Sequence, residues 1–105
     1  AALSPDAAAR PSFIAPIYPP MVAVKVPPDA PPMFVAIALD DEIFGQQGLG
    51  LVEAWHRAGR PVELHAYERG GHGFGLGKSG TSTTLLLDEL FAWLQTRGIV
   101  APGVP

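Results

Sequence analysis

The chain alternates between apolar runs and breaks marked by glycine, proline or charge, and the spacing inside each run assigns it a structure. The most apolar run is MFVAIAL at 33–39, hydrophobic at every position. A strand buried on both faces has this pattern, and parallel sheets covered by helices produce such strands. The run stops abruptly at Asp40, Asp41 and Glu42. From Gln46 to Ala58 the apolar residues fall at Leu51, Val52 and Trp55, with Ala58 following, which predicts a helix. Gly59 suits the position just past its C-terminus and Arg57 its last turn, while Gly48 and Gly50 weaken its start. In PVELHAY, Val62, Leu64 and Ala66 alternate with Glu63, His65 and Tyr67, as in a half-buried strand.

Two further segments complete the pattern. SFIAPIY at 12–18 suits a strand, but Pro16 removes a ladder donor, which makes it an edge strand or a bulged one. TSTTLLLDELFAWLQTRG carries a wide apolar face of Leu86, Leu87, Leu90, Phe91 and Leu94, predicting a last helix. Ser82, Thr83 or Thr84 could cap its start, and Gly98 its end. Residues 1–11 and 19–32, the stretch around 70–80 and the tail after Gly98 read as loops or extended connections. The order strand, strand, helix, strand, helix predicts an α/β fold with a mostly parallel sheet of three strands.

Composition narrows the function. The 105 residues suit one small domain, and 48% hydrophobic against 16% charged is a globular balance. With a net charge of −3 and seven scattered Lys and Arg, no basic stripe exists to track a phosphate backbone, so nucleic acid is not an expected partner. The longest apolar run is far too short to span a bilayer. The absence of cysteine excludes disulfides and thiolate metal sites and leaves the compartment open.

The chemistry concentrates in YERGGHGFGLGKSG at 67–80. A phosphate-binding P-loop needs a glycine where His72 stands, five residues before Gly77 in Gly77-Lys78-Ser79. GLGKSG matches a dinucleotide fingerprint literally, but the strand ends near Tyr67, and no second strand with a terminal acid follows the last helix. The better reading centres on His72. Gly70, Gly71 and Gly73 leave its imidazole uncrowded, and histidine is the usual general base near neutral pH. Asp40 and Asp41 follow one parallel strand as His72 follows the next, so both should lie on the same rim of the sheet, where sites form in such folds. An acid beside a histidine fixes its tautomer and stabilises the imidazolium. The competing readings are a surface histidine and an acidic stop that favours the following helix N-terminus.

The segment 31–98 resembles the C-terminal portion of the α/β-hydrolase fold, in the esterase and lipase branch that includes acetylxylan-esterase-like enzymes and relatives of dienelactone hydrolase. Residues 4–20 resemble the strand that precedes it, with its lead-in. The resemblance implies that GGHGF carries the triad histidine, His72. It implies that Asp41 is the triad acid, since one residue, Glu42, and an apolar pair, Ile43 and Phe44, follow it; Asp40 is the runner-up. A proline often follows that pair in the family, where this chain has Gly45. The implied substrate is a small-molecule ester, with no metal or organic cofactor. His56 and His65 are expected to be surface or packing residues, Trp55 and Trp93 core, and Glu53 with Arg57 a solvated pair.

The nucleophile is absent from this chain. None of Ser4, Ser12, Ser79 and Ser82 lies in a G-x-S-x-G elbow, and Ser79 also follows the histidine, the wrong order for this fold. Losing the serine costs about 10⁶ in kcat, or roughly 8 kcal/mol, so the chain alone is expected to be inert to esters. The 105 residues therefore read as a single partial domain that supplies the acid and histidine of a serine esterase and lacks the nucleophile-bearing half. Its open sheet edge is expected to make it self-associate or pair with that half. The alternative is a non-catalytic α/β assembly module.

Overall fold

The computed structural model describes residues 12–100. Readings that fell on Ser4, on the rest of 1–11 and on 101–105 lie outside them. The element order is β1 (Met33–Ala38), α1 (Gly50–Arg57), β2 (Val62–Tyr67), a short 3-10 turn (Ser82–Leu85) and α2 (Leu86–Thr96). The two strands pair in parallel, with Met33 opposite Val62 and Ala38 opposite Tyr67.

All six residues of β1 are buried. Because side chains alternate across a strand, it feeds two cores. Phe34, Ala36 and Ala38 join Tyr67, Phe74, Leu86, Trp93 and Leu94 on the α2 side. Met33, Val35 and Ile37 join Met21, Ala30, Leu51 and Trp55 on the α1 side. Both tryptophans are thus core residues, and the Trp55 indole N–H donates to the Pro31 carbonyl at 2.9 Å.

The expected first strand exists only as two isolated parallel bridges, Ile14 to Met33 and Ile17 to Ala36, on the edge of β1 opposite β2. The Ile14 and Tyr18 amides donate to the Pro32 and Ala36 carbonyls, and the Phe34 and Ala36 amides to those of Ile14 and Pro16. The rung between them would need an N–H on Pro16, which has none. Helix α1 starts four residues later than the spacing predicts. Gly48 stands at φ +80°, outside helical geometry, and at Gly50 a Cβ would lie 2.9 Å from the Ala23 amide nitrogen.

Several side-chain expectations differ from the structure: Ala66 is exposed, and Ser82, Thr83 and Thr84 form the 3-10 turn rather than capping α2, which starts after Leu85 with no side-chain cap. Leu87 is exposed, and the apolar stripe of α2 runs through Leu86, Leu90, Trp93 and Leu94 instead. The face of β2 bearing Glu63, His65 and Tyr67 is not simply open to water: Tyr67 is buried and His65 mostly so, where Glu89 of α2 meets them, while Glu63 stays partly exposed. Its polar atoms find partners there: His65 lies 2.8 Å from Glu63 and 2.9 Å from Glu89, and the Tyr67 hydroxyl donates to Glu89 at 2.5 Å. Burial and the neighbouring Glu89 carboxylate push the Tyr67 phenol well above the ordinary tyrosine range. His65, stacked on Phe34, is a packing residue, and His56 is exposed. Among the described residues no helix is long and apolar enough to cross a membrane.

Candidate active site

Both strands end on the same rim, tied there by the Leu39 amide, which donates to the Tyr67 carbonyl at 2.7 Å. Asp40 and Asp41 lie two and three residues beyond the end of β1, and the loop with His72 leaves β2 beside them. The Asp41 side chain is fully buried. Its Oδ1 accepts the amides of Ile43 at 2.7 Å and Phe44 at 2.8 Å, and its Oδ2 accepts from His72 Nδ1 at 2.9 Å.

Burial alone would raise the Asp41 pKa, but the Phe44 amide, the His72 hydrogen bond, the Ile43 amide and the histidine's charge together hold it below the ordinary carboxylate value. Near neutral pH this carboxylate can only accept hydrogen bonds. The proton between the two groups therefore sits on Nδ1, and His72 Nε2 is left as the basic nitrogen.

Asp40 has a different partner. Its Oδ1 accepts the Gly71 amide at 2.7 Å, so the two adjacent aspartates hold the same loop at consecutive residues. Gly71 at φ +70° and Gly73 at φ +100° flank the histidine in conformations that strongly favour glycine. Gly45 is required here. Its amide donates to the Asp41 carbonyl at 2.9 Å, and a Cβ would lie 2.6 Å from that oxygen. Proline would lose the bond and clash.

The imidazole has aromatic neighbours that the sequence did not single out. The Tyr18 ring lies edge-on at 4.4 Å between centroids, and Phe44 at 5.4 Å. Tyr18 stands at φ +40°, the only positive φ at a non-glycine among the described residues, which costs on the order of 1–3 kcal/mol. The IYPP sequence carried one signal for Tyr18, a residue constrained by the proline after it, but nothing that aimed it at His72.

In GLGKSG the Lys78 amide, which a phosphate cradle would turn toward its ligand, is bonded within the chain. Thr83, fully buried, accepts the Lys78 amide at 2.8 Å, and the Thr81 hydroxyl donates to the Lys78 carbonyl at 2.8 Å, which folds the stretch against the start of the last helix. Ser79 is exposed in this stretch. No group of three or more His, Cys, Asp or Glu among the described residues is arranged to hold a metal ion.

A parallel β-α-β unit with an acid and a histidine on one rim defines the class: the fold is that of part of an α/β-hydrolase. Solved structures that share it include the following three. An α/β-hydrolase enzyme from a Medee basin deep-sea metagenome library is 25% identical, with a TM-score of 0.74 over 90% of this chain and 48% of that one. An acetyl ester-xyloside bifunctional hydrolase from Caldicellulosiruptor lactoaceticus is 21% identical, with a TM-score of 0.78 over 88% of this chain and 44% of that one. A thermophilic esterase from the Planctomycetes species Thermogutta terrifontis is 22% identical, with a TM-score of 0.60 over 81% and 30%. The chain thus spans less than half the length of each. No family model and no curated protein matches the sequence.

Proposed function

We propose that this chain supplies the acid and the general base of a serine carboxylic ester hydrolase whose nucleophile comes from a polypeptide segment outside these 105 residues. The observation that carries the reading is the pair itself: a buried, amide-anchored Asp41 carboxylate 2.9 Å from His72 Nδ1 on the sheet rim. Esterase and hydrolase neighbours of the same fold support it.

In this reading a serine hydroxyl attacks the ester carbonyl while His72 Nε2 takes its proton. The imidazolium, stabilised by Asp41, then returns that proton to the leaving alcohol as the tetrahedral intermediate collapses to an acyl-serine. Water enters by the same route, and His72 again moves the proton. No step requires a metal or an organic cofactor.

The test combines the full chain with hydrolase segments that carry a G-x-S-x-G elbow and follows p-nitrophenyl acetate hydrolysis. Turnover that His72→Ala and Asp41→Ala abolish is the expected result. Absence of His72-dependent turnover with every such segment would leave the chain a non-catalytic assembly module.

A further inference from the structure

Tyr18 combines two properties that ordinary packing does not require together. Its backbone is held at φ +40° immediately before Pro19, and its ring is the nearest aromatic neighbour of His72, at 4.4 Å and 62° between ring planes. Energy stored in a backbone outlier persists only where the surroundings hold it, and such outliers cluster at functional sites. Here the Tyr18 amide donates to the Ala36 carbonyl at 2.6 Å, on the strand that leads directly to Asp41. The same ring also meets Phe74 edge-on at 5.1 Å, two residues past His72. Tyr18 is therefore anchored to β1 through its backbone and to the histidine loop through its ring.

The loop's backbone is already held, by the Asp40 bond to the Gly71 amide, but the Asp41 bond fixes only one atom of the imidazole. One hydrogen bond leaves the ring free to swing about the Nδ1 contact, and an aromatic edge against the ring restricts that swing. We infer that Tyr18 is a positioning residue for His72, and that its strained backbone is what aims the ring. This rests on the esterase reading for its purpose, since a fixed imidazole matters because Nε2 must meet a serine hydroxyl.

The test is NMR on the full 105-residue chain with labelled histidine, comparing the parent with Tyr18→Phe, Tyr18→Leu and Tyr18→Gly. The parent is expected to show nuclear Overhauser contacts between the Tyr18 and His72 rings and ring-current-shifted His72 protons. Phe keeps both. Leu loses the shift, and exchange of the His72 Nδ1 proton rises roughly two- to tenfold, the worth of one aromatic pair. Gly, which removes the ring along with the strain, loosens His72 at least as much as Leu does. Absence of the Overhauser contact in the parent overturns the inference, even if no variant folds. So does an unchanged Nδ1 proton exchange in Leu or Gly, or a Phe variant that behaves like Leu. These readouts need no ester, so they decide the positioning role separately from the esterase reading, which turnover decides.

Discussion

Replacing Asp41 by Asn should separate what this residue does for stability from what it does for His72. Asn has the same shape and keeps an oxygen for the Ile43 and Phe44 amides, now 2.7 and 2.8 Å from Oδ1. Those bonds change from charge-assisted to neutral, about 1 kcal/mol each, and the cost of burying a charge disappears. The net loss should be about 1–2 kcal/mol. Ala instead strands two amides and the imidazole, costing about 3–5 kcal/mol out of the 5–15 typical of a domain. With a urea slope of about 1–3 kcal/mol/M, the midpoint should fall at least twice as far for Ala as for Asn.

The effect on His72 should be of the other kind. An Asn side chain whose oxygen faces the amides turns its NH₂ toward Nδ1, so Nδ1 must accept and the proton moves to Nε2. The imidazole nitrogen shifts should exchange in NMR, and His72-dependent ester turnover in the combined protein should drop by about 10⁴, or roughly 5 kcal/mol. A His72 that keeps its proton on Nδ1 in Asp41→Asn, or equal urea midpoints for Asn and Ala, would refute the reasoning.

Three further outcomes are expected. Asp41 is more acidic folded than unfolded, so its contribution to stability is present above the ordinary value of 3.8 and is lost as pH falls below it; urea midpoints taken from pH 6 down to 3 should fall more steeply for the parent than for Asp41→Asn. Asp40→Ala should speed hydrogen exchange at the Gly71 amide, with Asp40→Asn restoring protection, and because the bond is exposed the stability change should stay within about 1 kcal/mol. Gly45→Ala places a methyl 2.6 Å from the Asp41 carbonyl and should cost about 1–3 kcal/mol, read as a Tm drop of roughly 4–8 °C per kcal/mol.

The regular elements were legible because each follows from a local pattern. An unbroken apolar run gave β1, a helical period gave α1 and α2, and Pro16 marked the weakness of the first strand that the missing rung displays. Burial at Leu87 and along β2 was not legible, because exposure is not a local property. Alternation in PVELHAY looked like one wet face, yet Glu89, 26 positions after Glu63, closes over it and meets His65 and Tyr67. Leu87 sits in an apolar stretch, but the helix stripe that faces β1 runs through its neighbours.

An acid at the end of one buried strand and a glycine-flanked histidine after the next can be read from residue order alone. Parallel pairing then puts both on one rim, whatever the details. Which of two adjacent aspartates meets the imidazole, what the other one holds, and that Tyr18 lies against the ring emerge from long-range contacts alone. These contacts join residues far apart along the chain: Asp41 and His72 are 31 residues apart, as are Asp40 and Gly71, and both aspartates lie in the turn beyond β1, where no strand or helix period fixes the direction of a side chain. Which aspartate turns inward depends on the turn that Asp41 builds with Ile43, Phe44 and Gly45, and on the packing that closes over it.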